Sequence, residues 1–285
     1  MKAIHGAAAA LLLLTAGCTA RVDERSLLHP VKAGALDPAS LTGSAARFTV
    51  EQHWIDRPDG ARLHAVHLRQ PGAKATILYF GGNGYAIGRF GAWTAGEFAP
   101  LGADLMIVDH RGSGLSTGTP GIGPGEDDAL AAFDYLQRLT RGPIIVHGHS
   151  MGSFMAGHVA AQRDTAGAVL ESSATTTEEW VASRTGGITG KLLRVEIDPA
   201  LKGRGNAGNV TQIAEPLLIV VGGRDKTTPP VLSQRLYDIS PLPTGRKRIV
   251  VVPEANHNNV MIAGLVHAAY RQLLAEATGS SPSSE

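Results

Sequence analysis

From residue 48 to residue 275 the chain alternates short apolar runs with longer stretches of helical periodicity. Phe48 to Ile55 and Arg62 to Leu68 alternate apolar and polar positions about Arg57-Pro58-Asp59-Gly60. That pattern predicts an antiparallel hairpin with one face buried, closed by a turn. Beyond it the alternation stops. Ala75 to Phe80, Asp104 to Val108, Pro143 to Val146, Ala168 to Leu170, Leu217 to Val221 and Arg248 to Val252 are continuous apolar runs. Such runs suit parallel strands buried on both faces. Helical patterns lie between them at Gly125 to Leu139, Met151 to Gln162, Pro230 to Tyr237 and Asn259 to Ala275. The class is therefore α/β: a mostly parallel central sheet with an antiparallel opening hairpin and helices on both faces.

The rhythm breaks once. Residues 173–212 carry no strand pattern, a gap of about forty residues that exceeds ordinary connections and predicts an inserted cap. Trp180, Val181, Leu192, Leu193 and Val195 give this cap its apolar surface. The folded domain is expected over residues 46–277, with a spacer over 18–45 and a disordered tail over 278–285.

The first residues follow a different grammar. Lys2 supplies a positive start and Ala7 to Leu14 a greasy run too brief to span a bilayer, as in a signal peptide over residues 1–17. Leu14-Thr15-Ala16-Gly17-Cys18 resembles the lipobox of bacterial lipoproteins, in which the cysteine becomes the acylated first residue. Cys18 is the only cysteine and has no internal disulfide partner. The resemblance implies a bacterial, extracytoplasmic protein anchored to a membrane, with Thr19 favouring the outer membrane of a Gram-negative cell.

Composition narrows the partners. Apolar residues are 43% of the chain, enough for a large core, and a net charge of +1 gives no electrostatic footprint for nucleic acid. The 11 histidines are scattered, and no CxxC or HExxH pattern occurs, so neither a metal nor an organic cofactor is expected.

The chemistry gathers at strand ends. Gly148-His149-Ser150-Met151-Gly152 follows the run ending at Val146 and precedes a helical pattern, the context of a nucleophile elbow. Gly148 and Gly152 flank a turn too sharp for neighbouring side chains. A serine hydroxyl needs a base, itself oriented by an acid. Leu217 to Val221 runs out to Asp225, and Arg248 to Val252 to His257, so acid and base fall in order beyond two later strands. Asp225 also suits capping a helix that begins near Pro229, and Glu171 is a rival acid after Ala168-Val169-Leu170. His110, His147, His149, His158 and His267 are weaker candidates for the base. Two donors are needed for the developing oxyanion, and the backbone N–H groups of Met151 and Asn83 are expected to supply them, with Gly84 as the alternative to Asn83.

These residues, with the loop Asp109-His110-Arg111-Gly112-Ser113-Gly114-Leu115-Ser116 and with Gly223 to Asp225, resemble the alpha/beta-hydrolase superfamily, particularly its serine-aminopeptidase-like branch. The resemblance runs from about Arg47 to Leu274. It departs at Gly81, where the family usually has His, and at Asn256, where a glycine often precedes the catalytic His. It implies the alpha/beta-hydrolase fold and a serine hydrolase acting on a carboxylic ester or related acyl bond, with a small-molecule or lipid-like acyl substrate. A peptidase or thioesterase using the same triad is one alternative, and a non-catalytic binding lipoprotein another. Asp109 and Arg111 are expected to hold loops rather than react. Gly82-Asn83-Gly84 with Gly88 and Asp109 faintly imitates a dinucleotide-binding loop, but its spacing is wrong and it leaves Ser150, Asp225 and His257 unexplained.

Overall fold

The computed structural model describes residues 19–41, 48–185 and 194–280. The expected signal peptide, Cys18, Leu192, Leu193 and residues 281–285 lie outside the described residues. Eight strands form one sheet: β2 (Thr49–Asp56), β3 (Arg62–Arg69), β4 (Thr76–Phe80), β5 (Asp104–Val108), β6 (Ile144–His149), β7 (Gly167–Glu171), β9 (Leu217–Gly222) and β10 (Lys247–Val252). Their spatial order is β10-β9-β7-β6-β4-β5-β3-β2. The hairpin β2–β3 is antiparallel, β3 runs antiparallel to β5, and every other pairing in the sheet is parallel. The strand order reverses about β4, which sits between β5 and β6. Ligands in open α/β sheets bind beyond the carboxyl ends of the strands at such a switch point.

Alternation within each strand supplies two cores. Ile77, Leu105, Ile145, Val169 and Leu218 face one side and pack with Phe98 of α2 (Ile87–Phe98) and with Tyr270 and Leu273 of α8 (Gly264–Thr278). Leu78, Met106, Val146, Ala168 and Ile219 face the other side. They pack with Phe133 and Leu136 of α3 (Ile122–Leu139), Val159 of α4 (Met151–Gln162) and Leu236 of α7 (Pro230–Ile239). Residues buried this fully contribute about 1.5–3 kcal/mol each relative to exposure. This double burial is why the sequence shows uninterrupted apolar runs.

Four expectations are corrected. The segment 18–45, expected as a spacer, is packed structure wherever it is described. Its β1 (Thr19–Val22) pairs in parallel with β8 (Arg194–Ile197), its α1 (Glu24–Leu27) follows, and a 3-10 turn at Pro38–Leu41 buries Leu41. The cap contains α5 (Thr177–Thr185) and α6 (Ala207–Val210), but also the strand β8, whose partner comes from the other end of the chain and leaves no local signal. Helix α8 starts at Gly264 rather than Asn259, because the Asn259 side chain accepts the Asn256 N–H at 2.7 Å and folds a turn there. It runs to Thr278 and is closed by Gly279 at φ 64°, so the expected tail is ordered to Ser280. Among the described residues no helix is long and apolar enough to cross a membrane.

Candidate active site

Ser150 sits between the last residue of β6 and the first of α4, with φ 52° and ψ −119°, a conformation L-residues rarely adopt. Two close approaches enforce it. A Cβ on Gly148 would lie 2.1 Å from the carbonyl oxygen of Gly152, and one on Gly152 would lie 2.1 Å from that of Phe80. Only glycine fits either place. The Ser150 N–H donates to the Glu171 carbonyl at 2.8 Å, which ties the turn to the neighbouring strand β7.

The expected partners arrive from two other strand ends. Ser150 Oγ lies 2.9 Å from His257 Nε2, and His257 Nδ1 lies 2.8 Å from Asp225 Oδ2. Because a carboxylate only accepts, the proton belongs on Nδ1 and Nε2 presents its lone pair to the serine hydroxyl. Asp225 is 3% exposed. Burial alone would raise its carboxyl, but hydrogen bonds from His257 and from Thr228 hold it below its ordinary value. Its second oxygen accepts the backbone N–H groups of Thr227 and Thr228 at 2.8 and 2.9 Å, just ahead of α7. Asp225 therefore orients the histidine with one oxygen and holds its own turn with the other. Helix α7 itself begins at Pro230 without a side-chain cap, so the capping alternative is not what the structure shows.

The rivals separate cleanly. Glu171 accepts from His147 Nε2 at 3.0 Å beneath the site, and both are buried. Burial disfavours the charged carboxyl of Glu171, yet His149 and His147 beside it hold it below its ordinary value. His149 donates from Nε2 to the His257 carbonyl at 2.8 Å and so braces the loop that carries the base. His110 donates from Nε2 to the Gly81 carbonyl at 2.6 Å. His158 lies within α4 and His267 within α8.

The loop after β4 differs from the usual pattern for a physical reason. A Cβ on Gly81 would lie 2.1 Å from the ring of Tyr85, so no side chain fits where the family usually has His. His110, from the loop after β5, provides the support instead. A Cβ on Gly82 would lie 3.4 Å from Ser150 Cβ, which shows how closely this loop passes the serine. Met151, first residue of α4, carries an N–H with no intrahelical acceptor. The Asn83 side chain faces the N-terminal segment, accepting the His29 N–H at 2.8 Å and donating to the Leu27 carbonyl.

Asp109 and Arg111 hold loops. Asp109 accepts from Ile87 N and Leu115 N and pairs with buried His64 at 2.8 Å, while Arg111 forks onto Asp128 at 2.8 and 2.7 Å. Thr228 is a site residue the sequence reading missed. Its Oγ1 lies within 2.9 Å of Asp225 Oδ2 and 3.2 Å of His257 Nδ1, and it donates to the Ser172 carbonyl at 2.8 Å. Its place three residues after an acid and just before Pro229-Pro230 was the available signal, that of an aspartate folding a turn through the N–H groups two and three residues on.

A cavity of about 800 Å³ opens over Ser150, with Asn83, Met151 and His257 in its wall. Trp93, Phe90, Phe154 and Trp180 make much of it apolar, and Leu27 to His29 of the N-terminal segment complete its rim. Glu97 stands in the same wall, where burial, with the charge of Glu171 adding to it, lifts its carboxyl from 4.5 to about 7.

The family model for serine aminopeptidase, S33, matches residues 71–197. An uncharacterized protein of Mycobacterium tuberculosis is 28% identical over 243 residues, 83% of this chain and 81% of that protein. The alpha/beta hydrolase domain-containing protein WAV2 of Arabidopsis thaliana is 24% identical over 260 residues, 85% of this chain and 83% of its own length. Among solved structures, the Pyrococcus furiosus esterase Pf2001 superposes with a TM-score of 0.70 at 17% identity, covering 88% of this chain and all (100%) of that one. The chain has the alpha/beta-hydrolase fold, and its sequence is similar to the serine-aminopeptidase-like hydrolases. In alpha/beta-hydrolase terms, β6 carries the elbow, and β9 and β10 lead to the acid and the histidine. These relatives support a hydrolase.

Proposed function

We propose that the chain is a serine hydrolase that cleaves carboxylic esters through an acyl-enzyme. The observation carrying this reading is the continuous line Ser150 Oγ, His257 Nε2, His257 Nδ1 and Asp225 Oδ2, with successive contacts of 2.9 and 2.8 Å. Ser150 Oγ attacks the ester carbonyl while Nε2 takes its proton, and Asp225 stabilises the imidazolium. The N–H groups of Met151 and Asn83 hold the oxyanion, a task for which Asn83 has its backbone amide, since its side chain serves the N-terminal segment. The C–O bond then breaks and the imidazolium gives its proton to the departing alcohol. A water deprotonated by His257 attacks the acyl-serine, releasing the acid and restoring the hydroxyl.

The apolar wall of the cavity favours an ester with a hydrophobic acyl or alkyl group. A peptide substrate is the second reading, favoured by the match to the serine aminopeptidase model over residues 71–197. One experiment tests both. A fluorophosphonate probe is expected to label the native chain at Ser150 and to leave Ser150→Ala unlabelled, and p-nitrophenyl esters are expected to turn over faster than aminoacyl p-nitroanilides. Labelling that persists in Ser150→Ala removes the mechanism; faster anilide cleavage moves the assignment to peptides.

We further propose that Cys18 is acylated and tethers the enzyme to a membrane facing an extracytoplasmic space, in keeping with the lipobox-like Leu14 to Cys18. Metabolic labelling with a clickable fatty acid checks this. Label is expected in the native chain and absent from Cys18→Ala.

A further inference from the structure

Away from the cleft, the edge hairpin β2–β3 holds an arrangement the hydrolase reading does not use. Glu51 is paired directly across the strands with His67, and His53 lies two residues along β2, on the same face as Glu51. One potential ligand atom from each of the three lies within 4.8 Å of the other two. His67 is fully buried, and neither of its ring nitrogens has a hydrogen-bond partner among the described residues. His53 Nε2 is likewise buried without a hydrogen bond and lies 3.6 Å from Glu51 Oε2. Buried polar atoms left unpaired are costly, and here one from each histidine comes together with the Glu51 carboxylate.

We propose that Glu51, His53 and His67 form a binding site for a transition-metal dication of the zinc class. Two imidazoles and a carboxylate are a donor set such ions favour. The neighbours already orient the ligands. Tyr135 Oη occupies His53 Nδ1 at 3.1 Å, which turns Nε2 toward Glu51. Arg69 donates to Glu51 Oε1 at 3.1 Å and leaves Oε2 facing the histidines. Asp104 Oδ2 stands 3.9 Å from His67 Nε2, a second carboxylate of the kind that fixes a ligating imidazole. A tetrahedral site with bonds near 2.1 Å has ligand atoms about 3.4 Å apart. Closing from a span of up to 4.8 Å asks for as much as about 1.4 Å of movement, shared between the half-exposed Glu51 and the two imidazoles. The ion would clamp the outermost strand β2 to β3, which β5 and β4 separate from the serine-bearing β6. No CxxC or HExxH motif announces such a site, because its ligands meet across two strands. The proposal departs from the sequence expectation that no metal is bound.

The test uses the purified full-length chain after chelator treatment. Cobalt(II) is expected to bind one per chain with the visible absorption of a low-coordinate site. Zinc is expected to compete for it and to raise the melting temperature by several degrees. Because replacing fully buried His67 risks unfolding the hairpin, the deciding variants are His53→Ala and Glu51→Gln. Each is expected to weaken binding about 10-fold or more, while His158→Ala on α4 leaves it unchanged. Absence of stoichiometric binding, or binding that survives both variants undiminished, overturns the proposal.

Discussion

The rim of the sheet and the segments that cover it are built on opposite terms. At the rim each functional side chain is fixed by short bonds in buried surroundings. Two backbone N–H groups hold Asp225, His149 braces the His257 loop, and the β7 carbonyl of Glu171 anchors Ser150. The cover, made of residues 19–41 and the outer part of the cap, is held by contacts nearer solvent, while the base of the cap buries Leu201, Asn206 and Val210. Arg21 meets Asp198, the Glu24 carboxylate accepts the Ile122 N–H at 2.8 Å, and Trp180 Nε1 donates to the Thr227 carbonyl at 2.8 Å. On the proposed function, groups that must be placed to a few tenths of an ångström lie where local unfolding is costly, and the outer rim of the cavity where it is cheaper.

The comparison is open to attack from both sides. The largest effect is expected from Asp225→Asn, which keeps the shape but disturbs the tautomer. A loss of about 10⁴-fold in kcat is expected for an orienting carboxylate, and a loss below tenfold in a steady-state ester assay would show that Glu171 takes over. Next comes Gly148→Ala. Its new methyl would meet backbone at 2.1 Å, and a cost of about 3 kcal/mol or more in urea denaturation is expected. Tolerance of this change would mean that the elbow is less rigid than its geometry.

Glu97→Gln probes the wall between the two regions. A carboxyl whose folded pKa exceeds its unfolded one costs stability once the unfolded chain deprotonates. That cost appears as pH rises through 4.5 and is complete above about 7. The variant is expected to be more stable than the native chain at pH 8, by about 1–3 kcal/mol, and equal to it at pH 4, as read from urea midpoints. The smallest effect belongs to the cover. Helix α3 begins without a cap from its own neighbour Gly121, and Glu24 supplies the acceptor from a distance. Glu24→Ala is expected to cost about 1 kcal/mol and to quicken amide exchange over residues 19–41 while leaving that of β6 and β9 unchanged.

The same division governs what could be read in advance. Strands β4, β5, β6, β7 and β9 were legible because burial on both faces forces apolar runs, and β5 runs from Asp104 to Val108 as expected. The edge strand β10 shows such a run although it is only half-buried. Ser150, Asp225 and His257 were legible because parallel topology assigns chemistry to strand ends. The β1–β8 pair was not, since its two four-residue strands meet through backbone bonds that any sequence makes. Helix α2 escaped because three glycines dilute it and because Phe90 and Trp93, 36% and 57% exposed, break the expected polar outer face. The His53–His67 cluster escaped because its partners converge only when the hairpin closes.

The pairing of β1 with β8 has a consequence for how the enzyme would sit on a lipid surface. Ordered strand begins at Thr19, the residue after Cys18, and one Cα step spans 3.8 Å. An acyl chain on Cys18 would therefore act as a mooring rather than a leash. The paired strands β1 and β8 would then be the part of the fold held nearest the bilayer.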